Sequence, residues 1–342
     1  MCQLLISPII VLAVIWSLTS PFTAAASDLR DEAIYECVYA YYGINQAVNY
    51  EKAYKCFVSN AVYEYLILMQ LNGEGVPADA NKANDLMVAW LKADPEYAGS
   101  AKETYLQRAI KNRLLGTKHT AMKIDFCKDL AESNYDIGYC TWVQDLLDKQ
   151  HTDKAMKAIR ATLTPSEEIL WDQVIKAFDA YLESEGARAG QLYAGGSSAG
   201  TADTLQQIYV RKNFQVFMQN TFGKKHLTAS TKDELSKTES NMQAAYEVSI
   251  NNYEVTYSPP EKTNNETADE MDFRDTMTNY IAEYKEDAAI SQKRWVFLRD
   301  LCAKLAVLVY KDKNTDVDWA ISLDRALTLV RLADIQNQPL GG

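Results

Sequence analysis

Histidine, glycine and proline are scarce in these 342 residues, which hold three, fourteen and eight of them. His119, His151 and His226 are scattered, with no second histidine or carboxylate at ligand spacing, so no zinc or other metal site is expected. Few turn formers exclude an all-β sandwich, which must reverse the chain every eight to twelve residues or so. Positive charge is in deficit too: 35 Lys and Arg face 46 Asp and Glu, a net −11. A sequence-independent nucleic-acid binder displaces phosphate counterions with cations, so that class is excluded, as is docking on anionic lipid. Past residue 18 no apolar run is long enough to cross a bilayer, and no stable membrane insertion is expected.

Residues 3–18, QLLISPIIVLAVIWSL, form the one long apolar run. Ser20, Pro21 and Thr23 break it, and Ala24-Ala25-Ala26 offers the small residues of a cleavage site. Residues 1–26 therefore read as a signal peptide and the mature protein as periplasmic or secreted, an uncleaved anchor being the alternative. Cys2 belongs to that segment. Cys37, Cys56, Cys127, Cys140 and Cys302 remain, two closely spaced pairs and a single. An oxidising compartment predicts Cys37–Cys56 and Cys127–Cys140 bridges, with buried thiols as the other reading of each pair. Cys302 lies in an apolar helical stripe and reads as core.

Hydrophobic content of 47% and helical periodicity in nearly every long segment predict an all-α fold. EAIYECVYAYYG (32–43) is apolar around most of its circumference, and residues 49–73 are long enough for two helices. Asn72-Gly73-Glu74-Gly75-Val76-Pro77 is a turn, followed by a helix with Leu86, Ala89, Trp90 and Ala93 on one face. Thr164-Pro165-Ser166-Glu167 is a helix start, and the helix it opens carries Trp171, Val174, Phe178, Tyr181 and Leu182 and ends near Gly186. A loop at 193–201 precedes a further helix, residues 224–237 look like a linker, and 256–270 is loop by composition. A long helix over 271–311 repeats Ile281, Tyr284, Ala288, Trp295, Leu298, Cys302, Leu305 and Val309 at steps of three or four, with one seven-residue gap. A last helix covers 317–335.

Leu68, Met69, Asn72, Gly73, Glu74, Gly75, Val76, Asp79, Lys82 and Ala83 resemble a Sel-type, TPR-like repeat, with a degenerate neighbour at 33–60. Solenoids bury a continuous face only over several repeats, so this region must pack on something else. In AAISQKRWVFLRDLCA (288–303), Gln292, Arg294, Trp295, Arg299, Asp300 and Cys302 resemble the signature of the LprI-like lysozyme inhibitor family. DFCKDLAESNYDIGYC resembles that family's cysteine-containing opening, and Gly195-Gly196-Ser197 its loop. The match is split: Leu182 and Glu185 stand where the first copy would carry Arg and Cys, and no second cysteine follows Cys302. The resulting division is a signal at 1–26, a Sel-type region at 27–120, a first LprI-like module at 121–225, a linker at 226–239 and a second module at 240–342.

Gly196-Ser197-Ser198-Ala199-Gly200 fits a nucleophile-elbow pattern, with Asp203 and His226 as its partners. EGARAGQLYA before it continues a helix, and no apolar strand delivers the serine, so the segment reads as a turn between helices. Glu167/Glu168 and Glu286/Asp287 sit at helix starts and on polar faces, where the dipole and solubility explain them. Arg299-Asp300 is the sharpest charged element: Arg299 either bridges helices or lines a partner surface. Tyr35, Tyr39, Tyr41, Tyr42 and Tyr50 read equally as interface or as helix packing.

No catalytic residue and no cofactor is expected. The LprI resemblance implies a periplasmic inhibitor that occludes a peptidoglycan hydrolase, a cationic partner that a −11 surface would attract. Residues Gly195, Gly196, Ser197, Ser198 and Arg299 are its expected contacts. The Sel-type resemblance implies as an alternative an immunity protein that neutralises a secreted antibacterial effector such as a lipase. An envelope scaffold without inhibitory action is the contrasting class.

Overall fold

The computed structural model describes residues 29–116, 122–193, 196, 198–262, 267–313 and 316–336. The expected signal segment, His119, Gly195 and Ser197 lie outside the described residues. Those described form eleven α-helices and no strand, as the periodicity implies. The chain divides into two units: one of the described residues up to Ala98 with Leu106–Lys123, the other of Gly99–Tyr105 and everything from Ile124 onward.

The first unit contains α1 (Leu29–Tyr42), α2 (Tyr50–Ser59), α3 (Tyr63–Asn72), α4 (Ala80–Ala93) and the latter part of α5 (Ala101–Leu114). Asn49 caps α2 through Lys52 N at 2.9 Å, and Asp79 caps α4 through Asn81 N and Lys82 N. The disulfide Cys37–Cys56 ties α1 to α2. Gly73 closes α3 in the left-handed region at φ 70°, and Gly75, at φ 71°, lies so close to Tyr50 that a Cβ would overlap its carbonyl. The buried face of α4 is Ala83, Met87 and Trp90, a slight rotation from the expected stripe that leaves Ala93 exposed. Tyr41 is core: its ring meets Tyr42, Tyr50, Phe57 and Tyr65, and its hydroxyl donates to Glu74 at 2.8 Å. Burial and the Glu74 carboxylate push that phenol well above its ordinary range. Tyr35, by contrast, is exposed.

The second unit contains α6 (Asn134–Arg160), α7 (Pro165–Gln191), α8 (Ala199–Met218), α9 (Lys232–Thr256), α10 (Ala268–Tyr310) and α11 (Trp319–Gln336). A π-helical turn at Phe126–Leu130 precedes α6 and is tied to it by Cys127–Cys140. Four helices open with capping boxes: Ser133/Asp136, Thr164/Glu167, Thr231/Glu234 and Thr267/Glu270. Helix α7 packs on α8 and α10, α8 also on α6, and α11 on α9 and α10.

Three expectations are corrected. Residues 226–239 are not simply a linker: the Thr231/Glu234 box starts α9 at Lys232, and Thr238 and Met242 bury one side of it. Nor do 121–225 and 240–342 have separate cores. Trp171, Phe178, Phe214, Trp295, Leu298, Cys302 and Leu305 belong to one cluster, with Phe178 stacked on Phe214 at 3.8 Å. Cys302 is a buried free thiol in it. Gly186 does not end α7 either. It lies inside the helix, where a Cβ would collide with Asp203 and Gln207 of α8, so the glycine serves close helix approach.

Candidate functional site

Helix α7 buries its stripe at steps of three and four: Trp171, Val174, Phe178 and Tyr181, then Glu185 and Arg188. The last two are charged, yet Glu185 is 0% and Arg188 1% exposed. The facing stripe of α10 is Tyr284, Ala288, Ser291, Trp295 and Leu298, so Ser291 fills the gap in its apolar repeat. Helix α11 adds Leu323, Leu327, Arg331 and Asp334. Three helices thus bring polar side chains to one buried level.

Arg188 grips Glu185 through Nε at 3.2 Å and Nη2 at 2.8 Å, a two-pronged contact one turn along the same helix. Arg331 Nη1 lies 2.7 Å from Glu185 Oε1 and donates to the Tyr181 hydroxyl at 2.7 Å. Ser291 Oγ donates to Glu185 and accepts from Arg331 Nη2 at 3.3 Å. Burial pushes the Glu185 carboxyl up, but Arg188 and Arg331 outweigh it and hold the group far below the usual carboxylate range. Asp334 accepts from Asn213 Nδ2 at 2.8 Å; there burial dominates and raises its carboxyl to about 7.

From this cluster a chain of contacts runs to the α7–α8 turn. Arg188 Nη1 donates to the Tyr284 hydroxyl at 3.2 Å, which also bonds Ser249 of α9 at 2.9 Å. The Tyr284 ring stacks on Tyr253 at 4.0 Å and 10°, and Tyr253 stacks on Tyr257 at 4.4 Å. Tyr253 donates its hydroxyl to Gln191 O at 2.8 Å, and Tyr257 donates to Leu192 O. These are carbonyls at the C-terminus of α7, which the helix itself leaves unpaired. The turn then closes through Gly196 N to Tyr193 O at 2.9 Å, with Gly196 exposed and Ser198 leading into α8.

Arg299 is elsewhere. Its Nη1 donates to Glu239 of α9 at 2.8 Å, Asp324 of α11 lies 4.0 Å from Nε, and the guanidinium sits over the Trp295 ring at 5.1 Å. It therefore bridges α9, α10 and α11, and it also lines a cavity of about 510 Å³ with Glu239 and Trp295. Tyr284 and Arg299 are fifteen residues apart on α10, about 22 Å at 1.5 Å per residue, so turn and Arg299 do not converge. The elbow pattern is likewise dispersed in function: Asp203 accepts from Gln207 at 2.6 Å, and His226 lines a cavity between α8 and α11. No group of three or more His, Cys, Asp or Glu side chains among the described residues could hold a metal ion.

The residues that sequence reasoning missed are Glu185, Arg188, Ser291 and Arg331. Their signal was position: each continues an apolar stripe at helical spacing, where a polar side chain must find a partner.

No family model, no curated protein and no solved structure matches this chain significantly.

Proposed function

We propose that this protein is an exported binding protein that occludes a cationic partner enzyme, a peptidoglycan hydrolase of the lysozyme type, with the α7–α8 turn as the inserted element. The observation that carries this reading is the clamp beneath the turn. The hydroxyls of Tyr253 in α9 and of Tyr257 just past its end hold the carbonyls of Gln191 and Leu192, and the Tyr253 ring rests on Tyr284, whose hydroxyl meets the buried ionic cluster. Fixing the backbone where the turn leaves α7 lowers the entropy lost on binding, which is how inhibitory loops gain affinity. Two disulfides are compatible with an oxidising compartment, and a net charge of −11 would speed association with a basic enzyme at low salt.

The test is hydrolysis of a peptidoglycan suspension by a basic lysozyme with and without the purified protein. Inhibition should saturate at one to one and weaken with salt. The Tyr253→Phe/Tyr257→Phe double variant removes hydrogen bonds of about 1 kcal/mol each, so it should inhibit up to about thirtyfold less while keeping its helix content. An unaffected lysozyme rate at excess protein sinks the reading; equal inhibition by the double variant sinks the role of the turn.

A further inference from the structure

A cavity of about 510 Å³ lies between α8 and α11, walled also by the segment that joins α8 to α9. That volume falls within the roughly 300–1,000 Å³ of small-molecule pockets. Its lining contrasts with the acidic chain around it. The only ionisable side chains in it are Arg325 and His226, and no carboxylate lines it among the described residues. Arg325 donates Nη1 weakly to Ser230 Oγ at 3.4 Å, while its buried Nε has no acceptor. Glu234 feels the Arg325 charge, but its carboxylate is engaged in capping α9 through Thr231 N and Oγ1, and it does not line the cavity.

His226 is held in place by the backbone. The π-helical turn Gln219–Gly223 and Lys225, at φ 50° in the left-handed region, turn the chain so that His226 N donates to Asn220 O at 3.0 Å. The same walls carry Val216 and Leu329, large apolar side chains that are 55% and 44% exposed. A guanidinium whose Nη1 makes only a 3.4 Å contact, an imidazole and uncovered aliphatic surface in one cavity fit a single chemistry. The ligand has one negative head and an apolar body.

We propose that the α8–α11 cavity binds an alkyl carboxylate of the fatty-acid type, its head on Arg325 and His226 and its tail on Val216 and Leu329. A single guanidinium matches one charge, and its planar donors suit a carboxylate. This site is independent of the occlusion reading.

Isothermal titration of the full chain with decanoate tests it, with decanol as the uncharged twin of the same tail. Decanoate should bind saturably with one site, and decanol about tenfold or more weaker, the loss expected for a charge-assisted pair. Arg325→Gln, checked for native helix content, should lose decanoate affinity by about the same factor. With only three histidines in the chain, the His226 ring resonances are assignable by a His226→Asn variant and should shift on titration. Those shifts and the decanoate–decanol comparison keep the test decisive should Arg325→Gln misfold. Absence of saturable decanoate binding, equal affinity for decanol, an unaffected folded Arg325→Gln or unmoved His226 signals would each overturn the proposal.

Discussion

Glu185 of α7 and Arg331 of α11, 2.7 Å apart and both 0% exposed, form an ion pair that water does not reach. Arg188 completes the cluster, placing two guanidiniums on one carboxylate. Such a group costs desolvation when it forms, so its presence is weak evidence of stability; removing one partner is another matter, because the rest stays buried and charged.

Glu185→Gln should therefore lower unfolding stability by about 3–5 kcal/mol, since two guanidiniums would lose the carboxylate they share. Urea denaturation measures it. Replacing Glu185, Arg188 and Arg331 together by apolar residues of similar volume should cost far less or stabilise. A Glu185→Gln loss below about 1 kcal/mol would show that the cluster is hydrated or readily rearranged.

Stability should fall as pH rises from 5 to 8. Burial raises Asp334 to about 7 and Asp324 to about 6, in spite of Asn213 and Arg331 near the first and Arg299 near the second. An unfolded aspartate titrates near 3.9, so between about 4 and 7 the native state holds protons that the unfolded chain has released. Their contribution is fully present below about pH 4 and lost as pH rises through 6 to 7, amounting to at most a few kcal/mol. Asp136 acts in the opposite sense. Burial raises it but the Lys102 ammonium and Ser133 outweigh that, so its contribution is lost only when the pH falls into the acid range. Urea midpoints at pH 5 and pH 8 decide the matter, and Asp334→Asn should remove most of the difference. A higher midpoint at pH 8 refutes the assignment.

Gly75→Ala should destabilise the first unit by about 2 kcal/mol or more. The left-handed φ alone costs about 1 kcal/mol, and the added Cβ would meet the Tyr50 backbone rather than a side chain that can swing away. Thermal unfolding followed by far-ultraviolet dichroism would show it. An unchanged melting temperature would mean that the α3–α4 turn relaxes freely.

Local signals were legible in the chain. Thr164-Pro165-Ser166-Glu167 marked the start of α7, the stripe of α10 placed Trp295, Leu298, Cys302 and Leu305 inside, and close spacing paired Cys37 with Cys56 and Cys127 with Cys140. Misreadings arose where one residue type serves two purposes. Gly186 reads as a stop but admits α8, and the polar run before Ser240 reads as a linker although its Thr and Glu start a helix. Of the candidate site, the turn after Leu192 was visible by composition, whereas the two tyrosines that hold it were not, being more than 60 residues away.

What the amino-acid order determined by itself is the all-α class, most helix starts, both disulfide partners and the acidic surface. Each depends on neighbours within a few turns of chain, or on composition alone. Tertiary structure decided that α6 to α11 share one core and that Glu185, Arg188, Ser291 and Arg331 are interior groups. A charged residue on a helix looks the same in sequence whether it meets water or a partner 146 positions away, as Glu185 meets Arg331, because only the packing of distant helices supplies the second charge.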